Sequence, residues 1–256
     1  MLKDIHKEKD QRNINISNVG ICDYKVPITF GINDTCGCMA KISADVALGV
    51  NSRGAHLSRM IEVIDERLKF SIFDLPTLND LSFEIANRCE SSTANIEIEF
   101  EAVLNGIAPI SRKNSTQCIS IMAKSSFNNG NFEFVVAIKV IGAMVCPSSK
   151  EISKYGAHNQ RCELKVSLIG EAKEIDVEKI VNILNNQFST PVYSIVKRED
   201  EKYITEKGYE NAKFSEDLIR DTLLNLKKEY GNYKIIAELV NFESIHQHNV
   251  FAKGEL

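Results

Sequence analysis

The feature that most constrains this chain is the strict alternation of apolar and polar residues in several separate segments. Apolar side chains fall at every second position in residues 38–48, and residues 96–102, 132–140 and 162–168 repeat the pattern. Alternation of this kind is typical of half-buried strands, because successive side chains of a strand point to opposite faces. The sequence therefore predicts a series of long strands, each with one apolar face.

Segments with helical spacing lie between these strands. Apolar residues fall on one helix face in residues 57–68, after Pro76, in residues 177–184 and in residues 214–230. Further extended segments are expected at residues 25–30, 117–124 and 233–242, with residues 246–251 as the hairpin partner of the last one. Residues 1–24 are expected to form a polar lead-in.

Both halves of the chain show the same order of elements: strand, strand, helix, helix, strand, strand. The turn sequence Asn128-Asn129-Gly130-Asn131 marks the expected boundary between residues 1–127 and residues 128–256. No residue identity supports a duplication, so the repeat is one of architecture. Antiparallel strands with helices confined between hairpins predict an α+β fold with the helices on one face of the sheet.

Composition narrows the classes of protein that fit. The 256 residues carry a formal net charge of −4, which argues against a strongly basic nucleic-acid binder. No apolar stretch is long enough for a transmembrane helix, and the charged start of the chain does not resemble a signal peptide. Seven cysteines without an export signal indicate reduced thiols, so we expect a cytoplasmic protein that binds neither membrane nor nucleic acid.

Cys146 and His158 are the first candidates for chemistry. Cys146 ends one predicted strand and His158 starts the next, and each has the parity of its strand's apolar face. If the two strands pair as a hairpin, both side chains project from one face at the mouth of the loop. Together they could bind one cation, with metal–sulfur and metal–nitrogen bonds of about 2.3 and 2.0–2.1 Å. The alternative is a buried cysteine beside a core histidine.

The C-terminal segment holds a second cluster. Strand periodicity would place His246 and His248 on one face, close to Glu243. The three residues are a plausible acid–base cluster, and the alternative is a solvated terminal strand.

Two charged segments are more ambiguous. Residues 197–201 could supply a carboxylate that completes a Cys/His metal site, although a dense run of charges is usually a solvated loop. Arg59, in a segment that precedes a helix, could meet phosphate or could be a solvent-facing side chain beside a helix cap.

Several sequence motifs of this chain, which include the segments described above, resemble those of the type IB GTP cyclohydrolases. The resemblance extends from about residue 11 to the C-terminus, and its most unusual parts are YGAHNQR at residues 155–161 and NFESIH at residues 241–246. Other matching segments are residues 11–14, 54–59, 146–150, 191–193, 197–201 and 214–217. One departure is Ser148, since many members of the family have a second cysteine there.

The resemblance implies a tunnelling fold (T-fold) with two tandem modules per subunit, assembled as a homotetramer. It implies hydrolysis of GTP to 7,8-dihydroneopterin triphosphate and formate, the first step of folate and tetrahydrofolate biosynthesis. One divalent ion per site, zinc, iron(II) or manganese, would bind Cys146, His158 and Glu201. Glu216 would anchor the purine, and Glu243, His246 and His248 would move protons. Candidates for the triphosphate are Arg59, Lys150, Arg161, Lys197 and Arg198.

Two alternatives remain open at this stage. An archaeal-type GTP cyclohydrolase of methanopterin synthesis would release a cyclic phosphate product instead. A non-catalytic T-fold purine-binding module would hold a structural metal, which is closed by four protein ligands, whereas a catalytic metal keeps one position for water.

Overall fold

A computed structural model describes residues 4–6, 8–31, 35–173 and 175–256 of the chain, without the side chains of Thr35 and Cys36. The strands in these residues are β1 (Ile16–Gly31), β2 (Thr35–Leu48), β3 (Ile72–Phe73), β4 (Thr93–Ile107), β5 (Asn114–Asn128), β6 (Asn131–Val145), β7 (Asn159–Gly170), β8 (Thr190–Pro191), β9 (Lys234–Asn241) and β10 (Val250–Glu255). The helices are α1 (Leu57–Leu68), α2 (Thr77–Arg88), α3 (Pro147–Ile152), α4 (Val177–Asn185), α5 (Arg198–Glu210) and α6 (Ser215–Glu229). The α+β prediction is confirmed.

The strands form a large sheet in which most pairs are neighbours in the sequence. Their hydrogen-bonded order is β10-β9-β7-β6-β5-β4-β2-β1-β3, and β8 pairs with β6. At the predicted turn between β5 and β6, Asn129 and Gly130 both have positive φ, 47° and 90°. Two successive residues with positive φ are what a type I′ hairpin turn requires, which explains the Asn-Gly pair.

The chain forms two compact units, each made of several segments. Unit 1 comprises Met1–Glu101, Met122–Val136 and Gly170–Ile175, and unit 2 comprises Ala102–Ile121, Ala137–Ile169 and Asp176–Leu256. The division into tandem modules at residues 127 and 128 stays a prediction. None of the helices in the described residues is long and apolar enough to cross a bilayer.

Unit 1 buries the apolar faces that the helical spacing predicts. Met60, Val63, Ile64 and Leu68 of α1 are buried, and α1 packs on α2 and β1. Phe30 contacts Phe100 with ring centroids 4.9 Å apart. Burial of side chains of this size contributes about 1.5–3 kcal/mol each.

In unit 2, α6 packs on β9, β10 and α4. Its buried residues are Ser215, Leu218, Ile219, Thr222, Leu223 and Leu226. The helix lies so close to β10 that a Cβ atom on Gly254 would stand 2.9 Å from both Ile219 and Leu223. A larger residue at this position would displace one of these two side chains.

Three expectations about the elements were wrong. The lead-in is partly strand, because β1 begins at Ile16, where residues that are mostly exposed pair with β2 across two register shifts. The last strand spans Val250–Glu255, so His246 and His248 lie in the preceding loop and not on a strand. The charged residues from Arg198 onward form α5 and not a loop.

Candidate functional site

Cys146 lies where β6 ends and α3 begins. It is the N-cap residue of α3, with Pro147 at the first helical position. Its Sγ accepts a hydrogen bond from the backbone N–H of Ser149 at 3.4 Å, and its carbonyl accepts one from the Ser149 hydroxyl at 3.2 Å. The thiol is half-buried, and the local turn fixes its position.

Backbone hydrogen bonds hold His158 beside Cys146. The N–H of Cys146 donates to the carbonyl of His158 at 3.1 Å, and the N–H of His158 donates to the hydroxyl of Ser149 at 3.2 Å. β6 and β7 are neighbours in the sheet, as the hairpin predicted. The Cys146 and His158 segments therefore meet at the mouth of this hairpin.

Cys162, four residues after His158, differs from Cys146 in its surroundings. It is fully buried in β7, and this burial, together with the neighbouring Glu163, raises the pKa of its thiol to about 12. A thiol of this kind is protonated at neutral pH, and its position inside the sheet makes it a packing residue.

The pairing of β7 with β9 brings in the C-terminal segment. Cys162 is opposite Asn241 in this antiparallel pair, and the N–H of Phe242 donates to the carbonyl of Arg161 at 2.9 Å. Glu243 and Ser244 consequently lie next to the residues that begin β7.

A chain of side-chain hydrogen bonds joins Glu243 to His158. Gln160 Nε2 donates to Glu243 Oε1 at 3.4 Å, and Gln160 Oε1 lies 3.1 Å from His158 Nδ1. The Ser244 hydroxyl lies 3.4 Å from the same Nδ1 atom. Because the carboxylate accepts only, it turns the amide NH₂ of Gln160 toward itself and the amide oxygen toward the imidazole. This orientation favours the tautomer of His158 in which Nδ1 donates to Gln160 and Nε2 keeps a lone pair.

The second oxygen of Glu243 is unusual. Within the described part of the chain, Glu243 Oε2 is buried and has no hydrogen-bond partner. Buried polar atoms are nearly always paired, so an unpaired carboxylate oxygen in the chain that leads to His158 points to an external partner.

His246 and His248 stack on each other in the loop before β10. Their ring centroids are 5.1 Å apart and their planes differ by 14°. Both side chains are exposed. The two rings are therefore neighbours within a loop, and the expected shared strand face is wrong.

Glu216 lies at the start of α6, close to the end of β9. The preceding Ser215 accepts a hydrogen bond from Asn241 Nδ2 at 2.7 Å, which ties α6 to the strand that leads into Glu243. Glu216 itself is exposed. Asp217 accepts from the N–H of Phe214 at 3.1 Å and so caps the helix, which leaves the Glu216 carboxylate available to a ligand.

Glu201 is exposed in the first turn of α5. Among the described residues, its carboxylate does not form a close group with Cys146 and His158, since the one set of metal-type ligand atoms within 4.8 Å of one another lies elsewhere.

Asp200 fixes the first turn that carries Glu201. It is fully buried and accepts hydrogen bonds from the N–H groups of Ile110 and Ser111, both at 2.9 Å, and from the hydroxyl of Ser111. The N–H of Lys197 donates to it as well, at 2.9 Å. Burial works to raise the pKa of Asp200, but these hydrogen bonds outweigh it and hold the pKa below its usual range.

The five cations proposed for triphosphate fall into two groups. Arg59 Nη1 donates to the carbonyl of Arg88 at 2.5 Å, and Lys150 Nζ donates to the carbonyl of Tyr209 at 2.6 Å. Both are thus engaged within the protein. The side chains of the other three are exposed: Arg161, Lys197 and Arg198.

Sequence reasoning missed one cluster and one link. Asp4, His6 and His56 form the close ligand group mentioned above, although only His56 belonged to a quoted segment. The aspartate–Xaa–histidine spacing of Asp4 and His6 was the available signal. Gln160 was quoted within a motif, but nothing in the sequence indicated that it bridges His158 and Glu243.

Comparison with known proteins identifies the family. A family model described as type I GTP cyclohydrolase folE2 matches residues 2–252. The GTP cyclohydrolase FolE2 of Neisseria gonorrhoeae is 33% identical over 252 residues, which cover 98% of this chain and 97% of that protein. The FolE2 of Geobacter sp. (strain M21) is 35% identical over 256 residues, covering 99% and 94%. The FolE2 of Thermosipho africanus is 34% identical, covering 98% and 96%.

Solved structures agree on the fold. Uricase from Arthrobacter globiformis matches with a TM-score of 0.58 at 7% identity, over 94% of this chain and 93% of that one. The molecule is therefore an α+β protein, and the cysteine, histidine and carboxylate that lie around its β6–β7 hairpin are residue types used in acid–base and metal chemistry. The chain belongs to the type I GTP cyclohydrolase FolE2 family.

Proposed function

We propose that this protein is a GTP cyclohydrolase that converts GTP to 7,8-dihydroneopterin triphosphate and formate in folate biosynthesis. Family membership over nearly the whole chain supports the activity. The observation that carries the mechanism is the hydrogen-bonded chain from Glu243 through Gln160 to His158. A biosynthetic enzyme with free thiols fits the cytoplasm.

The residues at the β6–β7 hairpin suit a divalent metal. His158 presents a lone pair on Nε2 and is oriented through Nδ1, which is the usual arrangement of a metal-ligating histidine. Cys146 and His158 would hold the ion, with Glu201 as the predicted third ligand. When bound, zinc, iron(II) or manganese would supply Lewis-acid activation of water for hydrolysis at the guanine ring.

The remaining residues bind substrate and handle protons. Glu216 would accept the ring N–H and the exocyclic NH₂ of guanine, two donors side by side that a carboxylate matches. Glu243, His246 and His248 would hold and deliver the protons needed when the ring opens. Arg161, Lys197 and Arg198 are the better candidates for the triphosphate, because Arg59 and Lys150 are already engaged.

The decisive experiment measures formate release from GTP with Cys146→Ala and with chelated and reloaded parent protein. We expect Cys146→Ala to bind metal poorly and to be inactive, and chelation to abolish activity until a divalent ion is returned. Cys118→Ala, which removes an exposed thiol, is the matched control and should remain active.

Two results would contradict this proposal. Full activity in metal-free protein would eliminate the metal, and no formate release under any metal would favour a binding module. Analysis of the phosphate product separates the triphosphate from the cyclic phosphate of the archaeal-type enzyme.

A further inference from the structure

Asp4, His6 and His56 form a compact cluster in unit 1. Within the residues described, this is the one group of three or more histidine, cysteine or acidic residues whose ligand atoms all lie within 4.8 Å of one another. Asp4 and His6 are exposed, and His56 is half-buried at the start of α1. The cluster shares no residue with the proposed catalytic site.

Each oxygen of Asp4 faces one histidine, at a distance longer than a hydrogen bond and close to the spacing of two ligands on one metal. The N–H of His6 holds the carboxylate in place by donating to Oδ1 at 3.1 Å. Asp4 Oδ1 lies 3.5 Å from His6 Nδ1, and Asp4 Oδ2 lies 3.6 Å from His56 Nε2. Hydrogen bonds between such groups are about 2.7–3.2 Å long. Two ligands bound at about 2.1 Å in tetrahedral geometry are about 3.4 Å apart. The two imidazole rings, with centroids 4.7 Å apart, face the same carboxylate.

The backbone holds His6 against the loop that carries His56. The carbonyl of His6 accepts hydrogen bonds from the N–H groups of Arg53 at 2.9 Å and of Gly54 at 3.3 Å. A Cβ atom on Gly54 would stand 3.0 Å from the His6 ring, so glycine lets the ring approach closely. An ion pair of 3.0 Å between Glu8 and Arg53 adds a second attachment. The cluster is therefore pre-organised before any ion binds.

We propose that Asp4, His6 and His56 bind a divalent first-row metal, with Zn²⁺ as the preferred ion, and that this ion fastens the N-terminal segment to the Gly54 loop. Two imidazoles and a carboxylate are ligands that zinc accepts readily, and water would complete the coordination. The protein would then bind two metal ions of different chemistry, one with a thiolate ligand and one with nitrogen and oxygen ligands alone.

Cobalt(II) titration of the metal-free full-length protein tests this, because a thiolate ligand gives Co²⁺ a charge-transfer band that nitrogen and oxygen ligands do not. We expect two equivalents in the parent protein, of which one shows the band. His6→Gln should keep the equivalent with the band and weaken the other by at least about 100-fold. Cys146→Ala should lose the equivalent with the band and keep the other one. Lys9→Gln, a charge-neutralising change at an exposed residue of the same segment, is the control and should keep both equivalents.

Hydrogen exchange measures independently whether the ion attaches the N-terminal segment to the Gly54 loop. Zinc should slow exchange of the Arg53 and Gly54 amides in the parent protein and in Lys9→Gln but not in His6→Gln, with far-UV circular dichroism confirming that all variants are folded. The proposal is overturned if His6→Gln and His56→Gln both bind as many equivalents as the parent, at the same affinity. If the parent protein binds only the equivalent without the charge-transfer band, the proposed catalytic metal is contradicted and this site is not.

Discussion

Gln160 shows how one uncharged residue can set the chemistry of its neighbours. Its amide lies between a carboxylate, which accepts only, and an imidazole, which can donate or accept. The hydrogen bond from Gln160 to Glu243 turns the amide oxygen of Gln160 toward Nδ1 of His158, so Glu243 acts on the imidazole although the two residues do not touch. The arrangement connects the proposed metal ligand to the proposed proton carriers.

At the residue scale, the C-terminal histidines are proposed to carry protons and not metal. His246→Ala should lower turnover by about 10²–10⁴-fold, the usual contribution of a general acid–base group, while metal content stays at the parent level. Formate release and elemental analysis on one preparation measure both quantities. Asn249→Ala, in the same loop, should leave turnover unchanged. Loss of metal together with activity would instead make His246 a ligand.

Glu216 tests substrate recognition against a purely structural role. A first-turn glutamate stabilises a helix by about 0.3–1 kcal/mol through the helix dipole. If Glu216 binds guanine, Glu216→Gln places an NH₂ donor against a donor of the base, and kcat/KM for GTP should fall at least about tenfold. Melting temperature and metal content should change little.

Glu178 provides the matched comparison, because it lies in the first turn of α4. Glu178→Gln removes the same charge from an equivalent position, and it should leave kcat/KM unchanged. If the two variants behave alike in kinetics and stability, Glu216 has no role in binding GTP.

At the scale of elements, Asp200 anchors the start of α5 to the segment at Ile110 and Ser111. Asp200→Asn keeps the shape but loses the charge that accepts these N–H donors, so the melting temperature at pH 7 should drop by several degrees. The parent pKa lies below the unfolded value of about 3.9, so the carboxylate stabilises the fold above that pH. The difference in melting temperature between parent and variant should shrink as the pH falls below about 4.

Glu199→Gln is the control for this prediction, because Glu199 is an exposed acid in the same turn. It should change the stability by less than about 0.5 kcal/mol. If the difference in melting temperature between parent and Asp200→Asn stays constant from pH 7 to pH 3, packing and not charge is responsible for the loss of stability.

The elements that could be predicted from the sequence are those with one buried and one exposed face. α1 was located at both ends, and β2, β4, β6 and β7 were found, because their alternation or helical spacing reflects burial directly. α5 was missed, since its buried residues are only Asp200 and Gly208. An element that buries almost nothing leaves no apolar periodicity to detect.

The candidate site likewise has one part that the sequence predicts and one part that it does not. The meeting of Cys146 and His158 followed from strand parity across one hairpin, which is a local property of the sequence. The link from Gln160 to Glu243 depends on β7 pairing with β9, more than sixty residues along the chain. Alternation indicates that a strand has partners, but it does not say which strand each partner is.

At the scale of the whole molecule, the outermost strands carry large apolar side chains into solvent. Phe251 of β10 is 79% exposed and Ile72 of β3 is 75% exposed. Among the described residues, β10 pairs only with β9, so one of its edges has no strand beside it. An open edge with exposed apolar side chains favours association with another copy.

We therefore predict a homotetramer in which β10 lies at a contact between subunits. Light scattering after size exclusion should give four times the mass of the chain. Phe251→Lys adds a charge to the edge, which disfavours strand pairing, so it should shift the protein to smaller species. Formate release should fall with it, because active sites in the assembly are expected to draw on more than one subunit. Leu224→Lys, on α6, exchanges another exposed apolar residue and should leave both mass and activity unchanged. A monomer that releases formate at the full rate would rule out shared active sites.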